Sequence, residues 1–195
     1  EDLVAMNALY RPGPMENIPY FIDCKHGKQV ARYEHAALEP ILQGTYGVFV
    51  YQEQVMRAAH DLAGFSLAQA DELRRAMGKK LQEEMESKRR QFIDGCVKNS
   101  IPTGKAEKIF QTMEKFAGYG FNKSHSAAYA LLAYQCAWLK ANAPAEFMAA
   151  TITSEMSDSA RVATLIEECR RMKIQILPPD VNASRWACTL EDARL

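Results

Sequence analysis

The sequence lacks an excess of one charge, and it has neither a regular cysteine pattern nor a long apolar run. Its 24 lysines and arginines balance 24 aspartates and glutamates. No global field would therefore attract a polyanion, and any nucleic-acid contact must come from a local cluster. No apolar run approaches the roughly 20 residues that cross a bilayer, and no basic leader opens the chain. We expect a soluble, cytoplasmic protein that makes no membrane contact.

The five cysteines lie at wide and irregular spacing, without CxxC pairs and without the density of a disulfide scaffold. This usage is typical of reduced thiols. Cys24 and His26 are close in sequence, but no second pair of ligands lies near them. Ordinary structural residues are therefore favoured over a metal site, and we expect neither metal nor cofactor in this chain.

Catalytic constellations are also absent from the sequence. Two-metal nucleotidyl transfer uses clustered carboxylates, commonly an Asp pair one residue apart, and no Asp-x-Asp occurs here. The acidic runs at 71–72, 83–86 and 167–168 lie beside basic residues on predicted helix faces, where they favour surface ion pairs. His125 has no carboxylate near it in sequence. The chain is therefore interpreted as a binder and is not expected to catalyse a reaction alone.

With 195 residues, 48% of them hydrophobic, the chain has the composition of an ordinary globular protein. The pattern predicts a mainly α fold with irregular helices and a few short strands near the termini. We divide it into an irregular entry segment, 1–50, a helical core, 51–172, and the truncated start of a small β-containing segment, 173–195. The chain starts without Met and stops in mid-pattern, so both ends are expected to be cut.

Helix signals repeat from residue 52 onward. Gly64 stands where a C′ glycine ends a helix, and Ser66 with Gln69 forms a capping box for the next helix, which should stop at Gly78. Further helices are predicted at about 81–98, from 104 to the break at 118–120, from Ser124 or Ser126 to about 142, at 145–154, and at 159–172 with Asp158 as its cap. The helix ending near 142 is apolar nearly all round, which is typical of a central helix. Residues 47–51 are predicted to form either a brief strand or the entry to the following helix, and residues 174–177 have a β-like pattern.

The densest basic segment comprises Arg74, Arg75, Lys79 and Lys80. If Gly78 turns the backbone, four cations can converge on one anion. The alternative is a helix C-terminus that carries basic residues because they suit the helix dipole.

A second candidate is the loop at 115–126, which includes Tyr119, Asn122, Lys123 and His125. Free N–H groups at the start of the following helix, together with Lys123, could bind an anion, and Tyr119 or His125 offers a flat surface for a base. The motif is neither a dinucleotide GxGxxG nor a P-loop. A tight turn with aromatic residues in the core remains the alternative.

Two smaller clusters are less informative on their own. Prolines at 12 and 14 stiffen the chain and would hold Arg11 outward, where it could contact phosphate. The amide and carboxylate groups at 51–54 stand at a helix start, where ordinary capping is favoured.

The ordered motifs as a set closely resemble the C-family alpha subunit of bacterial DNA polymerase III. They cover nearly the whole chain as ALYRPGP at 8–14, YGVFVYQEQVM at 46–56, LRRAMGKK at 73–80, FAGYGFNKSHSAAYA at 116–130, APAEF at 143–147 and ILPPDVN at 176–182. Six blocks in one order are far more specific than any single block.

The resemblance implies the fingers region of a large DNA-directed DNA polymerase, with catalytic aspartates and Mg²⁺ in a palm outside this chain. By this resemblance Arg74 and Arg75 would hold the triphosphate of the incoming dNTP, while Tyr119, Asn122, Lys123 and His125 would approach the nucleotide or nascent base pair. Lys79 and Lys80 could equally face template phosphates. Implied partners are primer-template DNA and, through other parts of the subunit, a sliding clamp and a proofreading subunit. The alternatives are a non-catalytic helical nucleic-acid-binding module and a purely structural helical domain.

Overall fold

The computed structural model describes residues 1–79, 82–117 and 119–190, without the side chains at 78, 79, 82, 83 and 117. These residues form ten α-helices and three short 3₁₀ turns at Pro14–Asn17, Ala36–Leu38 and Gln43–Thr45. The α-helices are α1 Asp2–Leu9, α2 Ile18–Lys25, α3 Glu39–Leu42, α4 Gln52–Ala63, α5 Leu67–Lys79, α6 Gln82–Lys98, α7 Thr103–Ala117, α8 Lys123–Asn142, α9 Pro144–Ser154 and α10 Ser159–Arg171.

The prediction of a mainly α fold is confirmed, but the short strands are not found in the described residues. Residues 174–177 form no strand, and the segment at 47–51 contributes a single parallel bridge, between Tyr51 and Phe121. A strand needs a partner along its length, and the described chain supplies one only at Tyr51.

The helix ends are determined by local chemistry. Gly64 adopts φ 69° after α4, as a C′ glycine does. The capping box before α5 is complete, because Gln69 N donates to Ser66 Oγ at 3.2 Å and Ser66 N donates to Gln69 Oε1 at 2.9 Å. The Asp158 side chain accepts from Arg161 N at 3.0 Å and caps α10. The prediction that α5 runs to Met77 and stops at Gly78 is wrong, since Gly78 and Lys79 both belong to the helix.

The chain divides into two compact units, Glu1–Ala130 and Leu131–Leu195. In the first unit, α4, α5, α6 and α7 pack around a buried core in which the ring of Phe92 lies 5.5 Å from that of Phe110. Helices α4 and α6 approach closely at Gly95, where a Cβ would lie 2.1 Å from the carbonyl oxygen of Ala63. Any side chain at this position would separate the two helices.

A smaller cluster in the first unit supports the candidate site described below. It joins α1 and α2 to the segment before α4 through a buried set of residues: Ala5, Ala8, Leu9, Phe21, Val50 and Tyr51. Phe121 packs against this cluster from the loop before α8. The cluster therefore fixes the entrance to α4 and the entrance to α8 on the same core.

In the second unit, α9 and α10 pack through Met148, Ile152 and Cys169. Cys188 N donates to Thr153 Oγ1 at 3.1 Å, which joins the segment after α10 to α9. No helix in the described ranges is long and apolar enough to cross a membrane.

The expectation that α8 is a central, buried helix is wrong. Only Ser126 and Ala130 are buried along it. Its large apolar side chains are exposed, namely Tyr129, Leu131, Leu132, Tyr134, Trp138 and Leu139. The apolar composition of a helix indicates which of its side chains could be buried, but it does not indicate whether another element covers them.

Candidate functional site

The candidate site begins at Arg11, whose guanidinium reaches the loop before α8. Arg11 Nη2 donates to the carbonyl of Tyr119 at 2.6 Å, and its Nε donates to the carbonyl of Ala8 at 3.0 Å. The guanidinium carbon lies 4.4 Å from the ring centroid of Phe121. Burial lowers the pKa of Arg11. Although the prolines were expected to hold Arg11 outward, its guanidinium binds the loop, and it is half-buried.

The ring of Tyr119 packs against the backbone turn that follows Arg11. It lies against Gly13, where a Cβ would come within 2.6 Å of Tyr119 Cε1. Gly13 also adopts φ 100°, which side chains rarely allow. The YRPGP motif at 10–14 and Tyr119, more than 100 residues apart, are therefore parts of one surface.

The loop is joined to the start of α4 by backbone and side-chain hydrogen bonds. Gln52 N donates to the carbonyl of Phe121 at 3.0 Å, and Phe121 N donates to the carbonyl of Val50 at 3.2 Å. Gln52 Nε2 donates to the carbonyl of Gly120 at 3.2 Å. Beneath them, burial raises the pKa of Tyr51 to about 12.

The N-terminus of α8 is already capped from two sides. Asn122 Oδ1 accepts from His125 N at 2.8 Å, and both carboxylate oxygens of Glu53 accept from Lys123 N at 3.1 Å. The cap is therefore Asn122, and the prediction of Ser124 or Ser126 is wrong; Ser126 is buried and donates to the carbonyl of Val4. An anion that bound these N–H groups would have to displace the Glu53 carboxylate.

The remaining side chains of the loop form an aromatic and cationic surface. The ring of His125 lies 5.4 Å from that of Phe121 and 4.6 Å from that of Tyr129. Lys123 Nζ lies 5.4 Å from the ring centroid of Tyr51. Asn122, Lys123 and His125 are exposed, so this surface can reach a ligand.

The two arginines of α5 share one carboxylate. Arg74 Nε donates to Asp71 Oδ1 at 2.9 Å and its Nη2 lies 2.8 Å from the same oxygen, while Arg75 Nη2 lies 2.7 Å from Asp71 Oδ2. The hydrogen bond from Arg74 is the main cause of the lowered pKa of Asp71. This trio carries a net charge of one rather than two, which weakens its pull on an anion but orients both guanidinium groups.

Arg74 is also connected to the loop before α8 through Gln52, which hydrogen-bonds both. Its Nη1 donates to Gln52 Oε1 at 3.5 Å, at the long end of hydrogen bonding. Arg75 points outward, with 67% of its side chain exposed. The side chain of Lys79 and the whole of Lys80 lie outside the described residues.

Sequence reasoning missed three polar side chains of the site: Gln52 and Glu53, which connect these segments, and Asp71, which pairs with both arginines within α5. The amide-rich start of α4 was interpreted as capping, which holds for Gln54, whose Oε1 accepts from Tyr51 N at 2.9 Å. Its neighbours Gln52 and Glu53 instead bind the loop, and Asp71 was treated only as part of a surface run. A pairing of Gln52 with Gly120 spans 68 residues, and no local pattern contains it.

The described residues include no group of three or more histidines, cysteines, aspartates or glutamates that could hold a metal ion. The donor set of this part of the chain therefore does not fit the Mg²⁺ that the resemblance implied for the complete enzyme. No step of a reaction is assigned to a metal in this chain.

The chain is similar over nearly its whole length to several known proteins. The chain is 54% identical to DNA polymerase III subunit alpha of Pseudomonas aeruginosa over 199 aligned positions, which cover 98% of this chain and 17% of the relative. It is 51% identical to the corresponding protein of Escherichia coli, with the same coverage, and 54% identical to that of Neisseria meningitidis, with 97% and 16% covered. The chain thus spans about a sixth of the length of these relatives.

A family model described as the finger domain of the bacterial DNA polymerase III alpha subunit matches residues 1–100. That range contains α1 to α6 and both arginines of α5, and the relatives extend the similarity through the loop before α8. The chain belongs to the family of bacterial DNA polymerase III alpha subunit finger domains.

Proposed function

We propose that this chain forms the fingers of a replicative DNA-directed DNA polymerase and binds the triphosphate of an incoming dNTP and the nascent base pair. The observation that supports the proposal is the convergence of three motifs: Arg11 and Gln52 both hydrogen-bond the loop at 119–121, and Gln52 also accepts from Arg74. A cation-bearing helix end and an aromatic loop thus share one side of the first unit. Arg74 and Arg75 would act on the phosphates, and Tyr119, Asn122, Lys123 and His125 on the nucleotide.

In this proposal the fingers position the triphosphate and stabilise charge, because arginine forms strong hydrogen bonds to phosphate oxygens. The carboxylates that hold Mg²⁺ would belong to a palm elsewhere in the subunit. Primer-template DNA, dNTP and the other replicase subunits are the proposed partners, and Lys79 and Lys80 are proposed to contact DNA.

The test is single-nucleotide incorporation by the alpha subunit that contains this chain. Arg75→Ala is expected to lower kcat/KM for dNTP by roughly 10- to 100-fold, the effect of losing a hydrogen bond to a charged group. Arg90→Ala is the matched control, because Arg90 makes an i,i+4 pair with Glu86 on α6 and is similarly exposed. Unchanged kinetics for both Arg75→Ala and Arg74→Ala would remove the phosphate role.

A further inference from the structure

We propose that Gln52 is a positioning residue that couples the loop at 119–122 to Arg74, so that the conformation of the loop sets the pose of the arginine. The inference rests on the proposed function, because it concerns a connection between two parts of the proposed nucleotide site, the loop before α8 and Arg74. Gln52 is the first residue of α4, and it contacts both halves of the site while it is itself half-buried.

Toward the loop, Gln52 makes two hydrogen bonds. Its backbone N–H donates to the carbonyl of Phe121 at 3.0 Å, and its side-chain Nε2 donates to the carbonyl of Gly120 at 3.2 Å. The backbone hydrogen bond holds the loop at Phe121 against the start of α4, and the side-chain hydrogen bond to Gly120 fixes the rotation of the Gln52 amide. A shift of the loop on ligand binding would therefore move or turn this amide.

Toward α5, the same amide presents its oxygen. A carboxamide has one donor group and one acceptor, so an Nε2 that faces a carbonyl leaves Oε1 for the opposite side. There Oε1 accepts from Arg74 Nη1 at 3.5 Å. The reversed amide would face Gly120 with an acceptor and Arg74 with a donor, and both contacts would be repulsive. The polarity of the two neighbours therefore determines the orientation.

The consequence falls on the free donors of Arg74. Of its five N–H bonds, Nε gives one to Asp71 and Nη1 gives one to Gln52, while Nη2 lies in ion-pair contact with Asp71. Within the part of the chain that the structure describes, a second hydrogen on Nη1 and a hydrogen on Nη2 have no further partner, and the guanidinium is held from two sides. The bond to Gln52 is long, and contacts of this kind often tighten only when the ligand is bound.

The experiment is a double-mutant cycle in the alpha subunit, with KM and kcat for dNTP measured for Gln52→Leu, Arg74→Ala and the double variant. Gln52→Leu keeps the size of the side chain and removes both contacts. We expect KM to rise roughly three- to tenfold with a smaller change in kcat, and the double variant to resemble Arg74→Ala alone, because directly coupled residues are not additive.

A second variant separates the two contacts of the amide. In Gln52→Glu the carboxylate still accepts from Arg74 but can no longer donate to the carbonyl of Gly120, so we expect a rise in KM close to that of Gln52→Leu. Gln111→Leu, at an exposed position of α7, is the control for a surface glutamine and should match the parent enzyme. Equal thermal unfolding midpoints would show that the Gln52 variants are folded.

The outcomes distinguish a failure of the coupling alone from a loss of the phosphate role of Arg74. If Arg74→Ala impairs nucleotide use while Gln52→Leu does not, or the fold-changes simply multiply in the double variant, the coupling is overturned and the phosphate role stands. If Arg74→Ala leaves KM and kcat unchanged, the phosphate role of Arg74 is lost and the inference is lost with it.

Discussion

Gly13 lies at the contact between the turn after Arg11 and the ring of Tyr119, and its backbone has φ 100°. We predict that Gly13→Ala destabilises the 195-residue chain by about 1–3 kcal/mol from backbone strain alone, with a further cost because Tyr119 must move. Thermal or urea unfolding of the purified variant measures the change.

Gly27→Ala is the matched control, because Gly27 has φ 70° and nothing within 4 Å of its Cβ position. It therefore reports the strain of a positive φ without the clash, while Gly13, with φ 100° and ψ −74°, lies outside the left-handed region and adds backbone strain of its own. The combination of Gly13→Ala with Tyr119→Ala should recover part of the lost stability relative to the sum of the two single changes. Equal losses for Gly13→Ala and Gly27→Ala would mean that Tyr119 does not lie on Gly13.

Single residues also explain why only part of the candidate site could be predicted from the sequence. Arg74, Arg75 and the loop could be singled out because clustered cations and a Gly-rich turn before a helix have a recognisable chemistry. Gln52 and Glu53 could not, because their partners lie 68 and 70 residues away and a helix start rich in amides is explained by capping. Asp71 was seen as one half of a surface pair, although it binds both arginines.

Among the elements, α8 is where composition and environment differ most clearly. It carries no charged residue between Lys123 and Lys140, yet its aromatic and leucine side chains are exposed. Capping boxes and C′ glycines were predictable because the donor and acceptor are three or four residues apart. The covering of a helix depends on distant elements, and the apolar pattern of α8 does not contain that information.

The exposure of α8 predicts the fluorescence of its tryptophan in the 195-residue chain. The side chains of Trp138 and Trp186 are 52% and 82% exposed, and they are the two tryptophans of the sequence. In Trp186→Phe, the emission of Trp138 should be that of a hydrated indole, and acrylamide should quench it readily. A blue-shifted and protected emission would show that another surface covers α8, and size-exclusion chromatography with light scattering would report whether that surface is a second copy.

For the molecule as a whole, positive and negative charges balance, so electrostatic attraction must come from local groups of charges. The formal net charge is zero, so any binding of a polyanion would depend on local groups of cations, such as those near the candidate site. There the Asp71 carboxylate neutralises one of two arginines. The same carboxylate thus orients Arg74 and Arg75 and limits their attraction for phosphate.

These two effects of Asp71 can be separated by the salt dependence of DNA binding to the 195-residue chain. If neutralisation dominates, Asp71→Asn should bind primer-template DNA more tightly and steepen the slope of log K against log salt by about 1, the contribution of one further phosphate contact. Fluorescence anisotropy between about 50 and 200 mM salt measures both quantities. Asp61→Asn is the control, because Asp61 makes an ordinary i,i+4 pair with Arg57 on α4. Weaker binding by Asp71→Asn would mean instead that the oriented pose of the arginines contributes more than their net charge.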